Sequence, residues 1–251
     1  MKRRTSEPIT VSMLFHRGAQ KLGLLSFLLL AFQGSLAAAP YRFLSFDESI
    51  SNRKLAVKKG EEIVEIKDLH HLKRSPSISV PEDIPLTLVA LDKTSPDGKQ
   101  VSVDAKLPAG VTNPLVLILP DTSNPTGVRP YVIEDNAGRF RWGSIRFLNA
   151  TGKPVMTKVD KKVTELPAGW TPVDVDPGGD TRNMGIQAAY KAAPTQILYS
   201  AVWEHNPDVR ELVIVLPGTN ARTGEMEFKI IPEDRKVVAA EAEIEKKKQE
   251  Q

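Results

Sequence analysis

The chain has no cysteine in its 251 residues. That excludes disulfide stapling, thiolate metal ligands, thiol nucleophiles and lipid anchoring through cysteine. Aromatic residues make up only 6% of the chain, with three tryptophans, so a core must be built mainly from aliphatic side chains. No apolar stretch reaches the ~20 residues that a membrane-spanning helix needs. Nucleophile elbows, phosphate-cradling glycine loops and metalloprotease helices are also missing. The sequence therefore specifies an architecture far better than an activity.

What is present begins with residues 1–39, which read as a secretory signal peptide. Lys2, Arg3, Arg4, Arg17 and Lys21 precede the apolar run Leu22–Phe32, and Ser35-Leu-Ala-Ala-Ala39 offers small residues for cleavage. Cutting after Ala37 puts Ser35 and Ala37 at the two selective positions, whereas cutting after Ala39 would leave Pro40 beside the scissile bond. Arg3-Arg4 is followed by polar Thr5-Ser6-Glu7, unlike a twin-arginine signal. The leader holds five of the 34 basic residues and only one of the 31 acidic ones, so the chain beyond it is close to neutral. The overall basicity thus belongs to the leader and gives no reason to expect a nucleic-acid partner. A periplasmic or extracellular location is expected, with no stable membrane span after signal cleavage.

Beyond the leader, the chain repeats itself. Leu115-Val-Leu-Ile-Leu-Pro-Asp-Thr-Ser-Asn-Pro-Thr-Gly127 is answered 97 residues later by Leu212-Val-Ile-Val-Leu-Pro-Gly-Thr-Asn-Ala-Arg-Thr-Gly224. Tyr41-Arg-Phe-Leu44 matches Ile145-Arg-Phe-Leu148 at an offset of 104, and Glu62–Ile66 matches Lys162–Leu166. Lys54–Lys58 pairs with Lys153–Thr157, and Val132–Asp135 with Ile231–Asp234, at an offset of 99. A single unit of about a hundred residues occurs twice. The reading is repeat 1 over residues 40–135, a linker over 136–143, repeat 2 over 144–234 and a charged tail over 235–251, helical or disordered.

Each repeat reads as β structure. Val101–Ala105 and Lys162–Leu166 alternate with a period of two, as half-buried strands do. Leu115–Leu119 and Leu212–Leu216 are unbroken apolar runs, which suit central strands covered on both faces. Pro120 and Pro217 end them, because proline cannot donate to a ladder. Turn signals at sandwich spacing give seven or eight strands per repeat. In general form the repeat and strand pattern over residues 40–234 resembles secreted bacterial tandem immunoglobulin-like β-sandwich proteins. That resemblance implies an all-β fold of two tandem sandwiches and hardly any function. The cysteine pair and intervening tryptophan of immunoglobulin domains are absent.

Few residues offer chemistry. His70-His71 with Asp68 could bind a metal, although adjacent strand residues point to opposite faces. Asp174-Val-Asp-Pro-Gly-Gly-Asp180 resembles an oxygen-rich calcium loop but lacks the bidentate glutamate of an EF-hand. Neither displaces the reading of ordinary polar turns, and no metal or cofactor is expected. Asn149-Ala-Thr151 matches a glycosylation acceptor and equally a turn after a strand. His205 beside Glu204 is the one conceivable acid–base pair of a small hydrolase. Recurring carboxylates, Glu134-Asp135 and Glu233-Asp234, suggest structural roles. Exposed aromatics would suit glycan binding on a sandwich face; Trp142, Trp170 and Trp203 are the candidates, with Tyr199, Ala201 and Trp203 sharing one face. Phe140 and Trp142 in the linker either pack at the junction or serve the second core. The expectation is a non-catalytic binding or structural protein of the cell envelope, recognising a protein or glycan. A second reading is a two-domain chaperone that adds a strand to its client. Arg42, Arg146 and Arg141 would then be its basic cleft residues.

Overall fold

The computed structural model describes residues 38–249 apart from Asp83 and residues 220–223. Most of the expected leader lies outside the described residues. Its last two residues, Ala38 and Ala39, belong to the first strand, where they pair with Pro81 and Val80.

The first repeat contributes β1 (Ala38–Ser45), α1 (Glu48–Ser51), β2 (Leu55–Lys59), β3 (Glu62–Glu65) and β4 (Ile78–Pro81). It continues with β5 (Leu86–Thr94), β6 (Gln100–Ala105), β7 (Pro114–Pro120) and β8 (Val128–Glu134). The second gives β9 (Ile145–Asn149), β10 (Val155–Val159), β11 (Lys162–Leu166) and β12 (Val173–Val175). Then come β13 (Arg182–Tyr190), β14 (Tyr199–His205), β15 (Val209–Pro217), β16 (Met226–Asp234) and the tail helix α2 (Arg235–Gln249).

Both repeats form two four-stranded sheets with the same connectivity. The orders are β4-β1-β7-β8 and β3-β2-β5-β6 in the first, β12-β9-β15-β16 and β11-β10-β13-β14 in the second. β1 runs parallel to β7, as β9 does to β15, and the other pairs are antiparallel. Two duplicated β-sandwiches thus account for the fold. Their two-sheet form is immunoglobulin-like, while the strand order departs from the ABED and CFG sheets of a constant-type domain.

The ladders correct two of the offsets read from sequence. In the hairpins, Lys59 pairs with Glu62 as Val159 pairs with Lys162, so β2 matches β10 at an offset of 100, not 99. Leu115 faces Ile133 where Leu212 faces Ile231, so β8 matches β16 at 98. A one-residue slip would turn each strand's side chains to the wrong face. In the true register Asp135 is the counterpart of Glu233, and Thr157 that of Val57.

Thr157 and Val57 are both fully buried, yet the Thr157 hydroxyl oxygen has no hydrogen-bond partner among the described residues. A buried hydroxyl without a partner costs about 1–3 kcal/mol. Thr157→Val, restoring the first repeat's residue, is therefore expected to stabilise the protein by about 1 kcal/mol in urea denaturation.

Each sandwich has its own core. Phe43, Leu55, Leu88 and Val116 lie in the first, and Phe147, Ile186, Trp203 and Val213 in the second. A third core lies between the sandwiches. Leu44, Leu115, Leu117, Leu119 and Ile133 meet Leu148, Leu212, Ile214 and Ile231 there, with Phe140 from the linker among them. The unbroken apolar runs are explained by this double duty: alternate side chains enter the sandwich core and the junction core. The described residues accordingly form one compact unit.

Candidate functional site

The junction face is apolar in its middle and charged at one end, and the strand period puts it so. On β1, Arg42 lies two residues before Leu44, and on β9, Arg146 lies two before Leu148. On β15, Arg210 precedes Leu212. Past β8 and near the end of β16, Asp135 and Glu233 follow Ile133 and Ile231 by two. Each charged residue therefore shares a face with a member of the junction core.

Four of these groups, Arg42, Arg210, Asp135 and Glu233, form one network with Arg74. The Arg42 guanidinium donates to Asp135 and, at 2.6 Å, to Glu233 Oε1. Arg74, from the loop after β3, makes a fork on Asp135 through Nε at 2.9 Å and Nη2 at 3.1 Å. Arg210 donates from Nε to Glu233 Oε2 at 2.6 Å, and from Nη1 to the Asp135 and Phe140 carbonyls at 2.9 and 3.1 Å. Three guanidinia against two carboxylates leave one excess positive charge. Burial alone would raise the Asp135 carboxyl, but the guanidinia of Arg74, Arg210 and Arg42 outweigh it and hold the group below the usual carboxylate range. Arg42 is the member that reaches solvent, its side chain being 25% exposed against 4% for Arg74 and 3% for Arg210.

The linker locks this cluster in place. Phe140 is fully buried, with the guanidinium carbons of Arg146 and Arg210 over its ring at 4.5 and 4.9 Å. Trp142 is half-buried under Arg210 at 4.8 Å. Phe140 thus packs at the junction rather than in the second core alone. The linker ends at Gly143, whose φ of +78° and closeness to Pro207 (3.2 Å from an added Cβ) call for glycine.

Arg146 stands apart from the network. It forms a bidentate pair with Asp174, both contacts at 2.6 Å, and donates to the Glu134 carbonyl. That engages the first carboxylate of the calcium-like loop. Asp176 accepts from the Gly178 N–H and borders a shallow depression of about 540 Å³ with Asp160 and Lys161. No group of three or more potential metal ligands occurs among the described residues.

The other sequence candidates take structural positions. Trp203 lies in the second core, donating to the Tyr199 hydroxyl at 3.0 Å and meeting Phe228 edge-on. Trp170, at a φ of +70°, packs between Phe46 and Tyr131 of the first repeat, and its carbonyl accepts from the Tyr131 hydroxyl at 3.0 Å. Trp203 is buried and Trp170 half-buried. Asn149 is buried, with Nδ2 donating to the Lys153 and Leu166 carbonyls, so the glycosylation acceptor is a turn brace. His70 and His71 stack in a loop, with His70 Nδ1 accepting from the Leu72 N–H. Arg141 is exposed.

His205 and Glu204 point to opposite faces of β14. His205 is buried, with Nε2 at 3.2 Å from the Gly179 carbonyl, and Glu204 is exposed. Sequence reasoning missed the neighbouring carboxylate, Glu211. Among the described residues its Oε2 is buried without a partner, and it lines a water-sized cavity of about 10 Å³ with His205, Glu204 and Gly143. Burial pushes its carboxyl up to about 7. Such a group favours folding in its protonated form, so the contribution is full below the ordinary carboxylate range and is lost as pH rises through about 7. The full shift corresponds to about 3 kcal/mol, and partial solvent screening halves it. Glu211→Gln is therefore expected to raise stability by about 1–2 kcal/mol near pH 8 and leave it unchanged near pH 4.5, read from melts across pH.

No family model matches the chain, and no curated protein sequence matches it.

Proposed function

We propose that the chain is an exported, non-catalytic protein of the periplasm or cell exterior that binds a protein or glycan of the envelope. Arg42 would be the charged contact. The observation that supports this reading best is the arginine-rich end of the junction, where one excess positive charge reaches solvent through Arg42. A fixed guanidinium suits carboxylate or phosphate groups, because it donates in a planar fork. The partner would then be acidic at the contact. Two features favour binding over turnover: His205 and Glu204 lie on opposite faces, and the cluster carboxylates are held by arginines.

The chaperone-like alternative needs basic residues in an open cleft between domains. Here the junction is filled by Phe140 and aliphatic side chains, so the strand-capping version of that reading loses its place at the junction.

Retention of the protein on immobilised acidic glycan or envelope extract tests the reading. Binding should weaken with salt and fall in Arg42→Gln. Unchanged retention in that variant, or turnover in a broad hydrolase screen, would count against it. Export itself has a defined signature. Cleavage after Ala37 leaves β1 whole, whereas cleavage after Ala39 would remove its pairing with Pro81 and Val80. Intact mass of the exported protein should therefore show Ala38 as the first residue.

A further inference from the structure

The two sandwiches share a strand order but not the treatment of their edges. In the first, β6 lies against β8, so the sheets close on that side. β14 occupies the same place in the second sandwich and does not run along β16 in this way. None of the backbone groups of Tyr199–His205 bonds to anything but β13 among the described residues.

Exposed edges attract further strands, and proteins guard them with prolines, lysines, bulges or brevity. Such guards stand on most other edges here: Pro81 in β4, Pro130 in β8, Lys162 in β11 and Pro232 in β16, while β12 is three residues long and β3 four. β14 has none. It is seven residues long, pairs with β13 without a bulge and carries a single charge, Glu204. Its outward face centres on Val202, which at 69% is the most exposed of the large apolar residues among those described.

We propose that β14 is a self-pairing edge. Two copies of the chain join antiparallel there, forming one sheet that runs from β11 of one copy to β11 of the other, with Val202 on the two-fold axis. The sequence of β14 favours this register. Centred on Val202, it sets Val202 against its own copy, Ser200 against Glu204, Ala201 against Trp203 and Tyr199 against His205. Small thus meets large, the carboxylate meets a hydroxyl, and no like charges oppose. Centring on Trp203 would set two indoles against each other, and centring on Ala201 would set Tyr199 against Trp203. A second copy therefore fits this edge by size and by charge.

Sedimentation of the full chain over a concentration series tests the proposal. A dimer is expected, and Val202→Lys, which places two ammonium groups together on the axis, should weaken association by at least about ten-fold, with an unchanged melting curve at concentrations where both proteins are monomeric. The absence of native cysteine gives a second readout. Antiparallel partners lie at Cα separations of ~4.5–5.5 Å, within disulfide reach. Val202→Cys should therefore form a covalent dimer under mild oxidation. Val163→Cys, on the opposite edge of the same sheet and 58% exposed, should form no covalent dimer. A monomer at every concentration, a dimer indifferent to Val202→Lys, or equal crosslinking of the two cysteine variants would each overturn the proposal.

Discussion

Asp135→Asn is expected to destabilise the protein by about 3–5 kcal/mol, the usual cost of removing one partner from a buried ion cluster. The carboxylate accepts from Arg42 and from both arms of Arg74, and Arg210 lies 3.5 Å away. Asparagine keeps the shape but leaves two nearly solvent-free guanidinia facing a single remaining carboxylate, Glu233. Their desolvation is then no longer offset by charge. Urea denaturation would measure the loss through a lower midpoint at constant slope. A surface pair supplies the control. Lys73 and Glu241 are 2.9 Å apart but both exposed, so Glu241→Ala should change stability by less than about 0.5 kcal/mol. A comparable small loss in Asp135→Asn would show that the cluster is not held as tightly as its geometry states.

Phe140→Ala is expected to cost about 3–5 kcal/mol, as truncation of a fully buried aromatic does. Two effects add. The ring leaves a void among Leu44, Leu148 and Ile231, and it removes the surface on which Arg146 and Arg210 rest. This residue also couples the sandwiches. In the parent, one cooperative transition is expected for the described unit, since the junction core belongs to both halves. In Phe140→Ala, melting should fall in midpoint and broaden or divide as the halves lose that coupling. Retention of a single sharp transition at the parent midpoint would remove Phe140 from this role.

The repeat and the strand runs were legible because each follows from local pattern. Leu115–Leu119 and Leu212–Leu216 are apolar at every position, which only a strand covered on both faces requires. The junction itself was less legible. Its signature is a charged residue two positions from an apolar one, Arg42 with Leu44 or Arg210 with Leu212, and that pattern is equally the pattern of a solvated strand end. The register of β16 hid the rest. With Glu233-Asp234 aligned to Glu134-Asp135, the recurring carboxylates look like a repeated pair, whereas the ladder makes Glu233 the counterpart of Asp135 alone. The setting of Trp170 was hidden for a related reason. Trp170 follows a Pro-Ala-Gly turn, where exposure is the ordinary expectation. Packing against Phe46 and Tyr131 depends on how the two repeats meet, which no local pattern reports. Thr157 and Glu211 were silent in sequence, because an unpartnered buried oxygen has no compositional sign.

The leucine-filled seam between the sandwiches makes the peptide connection at residues 136–143 mechanically redundant. A protease cutting at the exposed Gly138 would sever the backbone without parting the halves, since neither could detach without presenting an oily sheet face to water. Either half made alone would present that same leucine-rich face to water, a surface that invites association.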